Sequence, residues 1–163
     1  MDSRITTTTT GGGMNGAQSR LAGQTALVTG ASRGIGRAIA LRLAADGARV
    51  IGTATSDGGA AGIGEALKAT GGEGRVLDVR DAAAVEALLN AIGPVSILVN
   101  NAGVTRDNLL MRMKDEEFDE VIRVNLEAAF RLIRAAARPM MKARFGRIVS
   151  ITSVVGVTGN PGQ

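Results

Sequence analysis

The chain has 163 residues, of which 45% are apolar but only 2% aromatic, and it holds no cysteine, histidine, tyrosine or tryptophan. That length supports one domain with a real core. The missing cysteine and histidine exclude disulfides, thiolate metal sites and the usual neutral-pH base, so an intracellular, metal-free protein is expected. The net charge of +4 stays until arginine and lysine deprotonate, because no side chain titrates between them and the carboxylates. No block of five or more basic residues occurs, so no nucleic-acid partner is expected.

The first 20 residues, "MDSRITTTTTGGGMNGAQSR", are polar and glycine-rich and are expected to form a disordered tail. They hold no apolar segment for a signal peptide. No stretch of the chain approaches the roughly 18 apolar residues of a membrane span, so a cytoplasmic protein without a membrane partner is expected.

From residue 21 to 163 the pattern is one alternation of strands and helices. "TALVT" (Thr25–Thr29) reads as a strand ended by Gly30, and Ile35, Ile39, Leu41 and Leu43 follow in a helix closed at Asp46–Gly47. "RVIGTA" (Arg49–Ala54) is a second strand, with a weak helix over Glu65–Ala69 among glycines. "RVLDV" (Arg75–Val79) is a third strand, followed by a short helix over Ala82–Asn90, and Gly93–Pro94 breaks the chain before a fourth strand, "VSILV" (Val95–Val99).

One long helix is predicted from Asp115 to Lys142, its buried stripe formed by Phe118, Val121, Ile122, Ala129, Leu132, Ile133 and Ala136. Acids crowd its start and Arg138, Lys142 and Arg144 its end, which complements the helix dipole. Arg131, Arg134 and Arg138 share a face that reads as solvated surface. "RIVSI" (Arg147–Ile151) is the fifth strand. Strands apolar throughout, separated by helices, predict an α/β fold with a doubly wound parallel sheet. Phe118, Phe130 and Phe145 are the only large rings this core can draw on.

The stretch "TGASRGIG" (Thr29–Gly36) places Gly30, Gly34 and Gly36 where the first strand becomes a helix. Such a turn lets backbone approach a diphosphate, which the first helical N–H groups and the positive end of the dipole then hold. Gly30 is expected to make the turn, Gly34 to admit the ligand and Gly36 to let the helix pack on the sheet. A tight turn with no ligand is the competing reading, and the spacing is not the common G-x-G-x-x-G. An NAD site carries an acid at the end of the second strand, whereas "VIGTATS" has none before Asp57. Arg33 in the turn and the hydroxyls of Thr53, Thr55 and Ser56 suit a 2′-phosphate, so NADP(H) is expected over NAD(H).

"TGASRGIG", then "NNAG" (Asn100–Gly103), "VNL" (Val124–Leu126) and "SITSVVG" (Ser150–Gly156), together resemble the short-chain dehydrogenase/reductase family over about residues 21–163. "NNAGVTRDNLLMRMKDEEF" and "GRIVSITSVVG" resemble most the members that reduce β-ketoacyl thioesters of acyl carrier protein in fatty-acid synthesis. The resemblance implies a Rossmann fold and cofactor contacts from Gly30, Ser32, Arg33, Gly34, Ile35, Gly36, Thr55, Asp78, Val79, Asn101, Ala102 and Gly103. Within that set Asp78 would meet the adenine, and Thr55 with Arg33 the 2′-phosphate.

Asn125 and Ser153 would match two catalytic positions, with Asn125 holding a water and Ser153 donating to the substrate carbonyl. Read alone, Asn125 is a polar residue on an apolar stripe that needs partners, and Ser153 is a serine beyond a strand's carboxyl end, equally at home in a plain turn. Arg144 could meet the carrier protein, and the intact family member would be a homotetramer.

The family also uses a tyrosine proton donor and, one helical turn later, a lysine; the tyrosine would lie just past Gln163, and this sequence contains none. The sequence therefore reads as a piece truncated after the fifth strand, which binds cofactor at most and leaves that strand an open apolar edge prone to association. A non-catalytic dinucleotide-binding module and a sibling reductase of another alcohol or ketone are the alternatives.

Overall fold

A computed structural model describes residues 19–163; of the tail expected over residues 1–20, residues 1–18 lie outside them, while Ser19 is joined to the domain by its Oγ, which donates to Asp46 O at 3.0 Å. Five strands form one parallel sheet in the order β3-β2-β1-β4-β5: β1 (Thr25–Val28), β2 (Arg49–Ala54), β3 (Glu73–Val76), β4 (Ile97–Asn100) and β5 (Arg147–Ser150). Helices α1 (Gly34–Ala45), α2 (Asp57–Leu67), α3 (Ala82–Ile92), α4 (Asp115–Ile122) and α5 (Ala128–Ala143) connect them. Successive side chains of a strand point to opposite faces, and both faces are buried. Leu27, Ile51 and Leu98 pack on one side with Val85, Val124, Ala128, Leu132, Ala136 and Met140. Ala26, Val28, Val50, Ile97 and Val99 pack on the other with Ala40, Ala44, Ile63 and Leu67. This is the doubly wound Rossmann arrangement that the alternating pattern predicts.

Three elements differ from their sequence-based expectation. The third strand runs over Glu73–Val76, earlier than expected, because its register with β2 pairs Ile51 with Glu73 and Ala54 with Val76. The helix expected over Glu65–Ala69 begins eight residues sooner, at Asp57 (65 − 57), and ends at Leu67. Ser56 starts it by accepting a hydrogen bond from Gly59 N at 3.2 Å, and its glycines, poor helix formers, let it lie on the sheet. A methyl group at Gly74 on β3 would overlap the Ala60 carbonyl of α2, and one at Gly59 would sit 2.8 Å from Ala54 Cβ.

The predicted long helix is continuous but contains a π turn at Arg123–Glu127 between α4 and α5. The extra residue shifts the buried face. Val124, Ala128, Leu132, Ala136 and Met140, spaced by four, are buried, whereas Phe118, expected on the stripe, is 57% exposed. Phe130 and Phe145 are 59% and 40% exposed, so no ring enters the core. Arg144 ends α5 with φ of 52°, the left-handed cap position usually given to glycine. Ion pairs and a ring take two of the three arginines expected on a solvated face. Arg131 binds Glu127 Oε2 and Arg80 O, each at 3.0 Å, and the Arg134 guanidinium lies 5.3 Å from the Phe130 ring centroid.

The close seating of α2 on β3 makes a sharp contrast testable by urea unfolding. Gly74→Ala forces backbone apart and is expected to lower stability by about 2–3 kcal/mol. Gly62→Ala, in the same region but with nothing within 4 Å of the added carbon, is expected to raise it by about 0.5–1 kcal/mol.

Candidate functional site

The chain runs from β1 outward to β2 and β3, then crosses back so that β4 lies on the other side of β1. Connections leaving β1 and β4 therefore part in opposite directions, and a crevice opens at their carboxyl ends, where ligands of such sheets bind. Thr29, 1% exposed, ties the two ends together. Its Oγ1 accepts from Asn101 N and Ala102 N, both at 3.0 Å, and donates to Val99 O at 3.3 Å. Asn101 Nδ2 donates in return to Thr29 O at 2.9 Å and Gly30 O at 3.0 Å. Sequence reasoning missed Thr29; its signal is a hydroxyl ending an otherwise apolar strand just before the glycines.

Gly30 and Gly34 take φ of +66° and +55°, values that side-chain-bearing residues avoid. At Gly34 an added carbon would meet nothing within 4 Å, so backbone there faces open space. A carbon at Gly36 would overlap the Gly30 carbonyl and the Asn101 amide. Gly36 thus seats α1 against the turn itself. Arg33, preceding α1, provides no side-chain cap, and the helix has no acid in its first turn. Its leading N–H groups and dipole are left available to an anion.

A cleft of about 1150 Å³ beside this point is lined by Arg33, Val79, Asn101, Ala102, Gly103, Asn125 and Ser153 among others. Those seven expected site residues are brought together. Gly30, Ser32, Gly34, Ile35, Gly36, Thr55 and Asp78 do not line it; they belong to the glycine turn, its helix and the ends of β2 and β3. Asn100 also lines the cleft; it is 6% exposed, donates through Nδ2 to Ser150 Oγ at 3.2 Å, and leaves Oδ1 buried without a partner.

Asn125 sits in the π turn and is exposed rather than buried on the apolar stripe, because the turn rotates it off the core face. Its amide clamps the loop after β4, accepting from Val104 N and donating to Val104 O, each at 2.9 Å. Ser153 is exposed, and its Oγ accepts from Val155 N at 3.4 Å, so the hydroxyl proton is free to reach a ligand. Of the hydroxyls expected near a 2′-phosphate, Thr55 is exposed. Thr53 is 1% exposed inside the sheet, and Ser56 is occupied as the cap of α2, which removes Thr53 from that role.

Asp78 follows β3 and binds Arg80 closely. Its Oδ1 accepts from Arg80 N and Nε, both at 2.9 Å, and its Oδ2 from Nε at 3.0 Å. Those bonds hold its carboxyl below the usual carboxylate range. Among the described residues no helix is long and apolar enough to cross a membrane. No cluster of three metal-ligating side chains occurs among them either.

A family model described as "short chain dehydrogenase" matches residues 24–163. The 3-oxoacyl-[acyl-carrier-protein] reductase FabG of Escherichia coli is 61% identical over 145 residues, 86% of this chain and 59% of that protein. The namesake of Salmonella typhimurium is 59% identical over the same length and coverage. That of Pseudomonas aeruginosa is 57% identical over 149 residues, 88% of this chain and 60% of that protein. The chain thus spans about three fifths of the length of these relatives.

Replacing Thr29 by Val strands two part-buried amides and is expected to cost about 1–3 kcal/mol in urea unfolding, with Thr29→Ser retaining most of the stability. The Asp78–Arg80 pairing lowers the folded-state pKa of the acid. Its contribution is therefore present at neutral pH and fades as pH falls below the ordinary carboxylate value of about 4. A carboxyl-carbon NMR titration should place Asp78 below the ordinary aspartate range.

Proposed function

The chain belongs to the short-chain dehydrogenase family, and on that basis we propose that it works as an NADPH-dependent reductase of 3-oxoacyl thioesters carried by acyl carrier protein, in the cytoplasm. The observation that carries this reading is the glycine turn. Positive φ at Gly30 and Gly34 and an uncapped helix start at Arg33–Gly34 adjoin the switch-point crevice, an arrangement that fits a dinucleotide's diphosphate.

Residues of this chain divide the work. The first N–H groups of α1 hold the diphosphate, Arg33 and Thr55 the 2′-phosphate, and Asp78 the adenine amine. Ser32, Ile35, Val79 and Asn101–Gly103 border the dinucleotide. Bound NADPH supplies a hydride to the carbonyl carbon of the substrate. As negative charge grows on the carbonyl oxygen, Ser153 donates a hydrogen bond to it, which stabilises the transition state more than the ground state. Asn125, held by Val104, keeps the loop after β4 in place and positions a water beside the cleft. The 163 residues contain no tyrosine, so they account for cofactor binding and for the serine's hydrogen bond, not for proton delivery by that residue type.

Contact with the acidic carrier protein falls to exposed arginines beyond the site, Arg144 at the end of α5 foremost. Assembly into a homotetramer belongs to the same proposal, and the exposed Leu126, Phe130 and Met141 supply an apolar helix face for it.

The test is a titration of the purified chain with NADPH, followed by the fluorescence of the reduced nicotinamide. With no tryptophan or tyrosine in the protein, that signal is free of overlap. Saturable binding is expected, weakened roughly tenfold in Arg33→Ala. A folded chain that binds no nicotinamide nucleotide would remove the basis of the proposal.

A further inference from the structure

A 2′-phosphate is favoured where no acid follows the second strand, and here none occurs before Asp57. The structure shows that this region is not free of acids. Leu77 N donates to Ala54 O at 2.8 Å, so the chain leaving β3, with Asp78 next, runs beside the chain leaving β2, with Thr55, Ser56 and Asp57 next. The first turn of α2 also touches the glycine turn, since a carbon on Gly59 would lie 3.4 Å from Ser32 Cβ. Arg33 lines the cleft, and Asp57 and Asp78 follow the neighbouring strands β2 and β3 beside the glycine turn. Their charges sum to minus one (one arginine against two aspartates), which disfavours a phosphate.

Arg80 changes that balance. Its guanidinium covers both oxygens of Asp78, and its own backbone N–H completes the contact. It is held in turn by Arg131, whose Nη1 donates to Arg80 O at 3.0 Å, and by Glu120 at 3.8 Å. Two acids near Arg80 have further partners. Glu120 forms a bidentate pair with Arg106 at 2.7 and 2.9 Å, and Asp81 caps α3 by accepting from Ala84 N at 3.0 Å. We propose that Arg80 sets the choice between NADP(H) and NAD(H) by cancelling the charge of Asp78, which meets the adenine next to the Thr55 segment that takes the phosphorylated ribose. The inference rests on the cofactor reading above and assigns a specificity-determining role to a residue outside the glycine turn.

The physical reason for a selective effect is the charge of the ligand. A 2′-phosphate carries close to two negative charges and feels an uncompensated carboxylate; a 2′-hydroxyl does not, and can even donate to it. Losing Arg80 therefore penalises one cofactor and spares the other.

The experiment measures dissociation constants for NADPH and NADH with the full chain and with Arg80→Gln, Arg80→Lys and Asp78→Asn. Arg80→Gln is expected to weaken NADPH about tenfold while NADH changes less than about threefold, so that NADH binding itself reports an intact fold. Arg80→Lys keeps the charge and should hold the NADPH-to-NADH preference within about threefold of the parent. Asp78→Asn removes the acid and should raise that preference, an opposite sign that stays readable even if Arg80→Gln fails to fold. Added salt should shrink the Arg80→Gln effect. Equal losses for both nucleotides would mean that Arg80 is merely structural and would overturn the inference, as would no change in either. A parent chain that prefers NADPH while the variants fail these expectations sinks this inference alone; a parent that binds neither nucleotide sinks the cofactor reading with it.

Discussion

Two strands that part company must still be held at a fixed distance, and in this protein one hydroxyl does it. Beyond Val28 and Val99 the sheet ladder between β1 and β4 ends, and the connections turn to opposite faces. Thr29 fills the fork, satisfying two amides of the β4 loop and the Val99 carbonyl from a fully buried position. Buried backbone groups without partners cost about 1–3 kcal/mol each, so this arrangement is stabilising mainly because the alternative leaves amides bare. Asn101 closes the circuit onto Thr29 and Gly30 carbonyls, which fixes the glycine turn relative to β4. The crevice owes its width to this junction.

A second register lies on the far side of the cleft. The π turn at Arg123–Glu127 moves Asn125 off the face defined by Val124, Ala128 and Leu132 and lets its amide reach the backbone of Val104. Core packing and site geometry are therefore set by one extra residue in one turn. Val124 and Asn125 are neighbours in sequence with opposite duties, one sealing the core and the other holding a loop. An unbroken α-helix through this region would give both residues different directions.

Sequence pattern revealed the strands well because parallel strands covered on both faces must be apolar throughout. "TALV", "RVIGTA" and "ILVN" are all of that kind. The glycine turn was legible for the same reason: no other residue type tolerates φ near +60° so readily. Helix α2 was nearly invisible, since its glycines argue against a helix on propensity, and its close seating depends on Gly74 of the neighbouring strand, where an added carbon would overlap the Ala60 carbonyl, a tertiary cause that no local pattern displays. The π turn was hidden because three- and four-residue spacing persists on either side of it. The phenylalanines misled for a simpler reason: with so few large side chains, a core of alanine and branched aliphatics closes without them, and the rings remain on helix surfaces and beside β5. Several residues quoted in the motifs come together at the cleft, whereas the part played by Thr29 was not legible, because it arises from the amides across the junction rather than from neighbours in the chain.

The two banks of the cleft differ in how they can yield. On the glycine side, backbone rests directly on backbone: Gly36 against the Gly30 carbonyl, Gly74 against the Ala60 carbonyl. Contacts of that kind have no rotamers to exchange, so this bank moves as a single plate or stays still. The opposite bank is the segment from Val104 to Met113, where Leu109, Leu110 and Met111 project outward and side chains provide tethers, Asn125 on Val104 and Arg106 on Glu120. Side-chain tethers can exchange rotamers where stacked backbone cannot, so whatever give the crevice has lies on this shore.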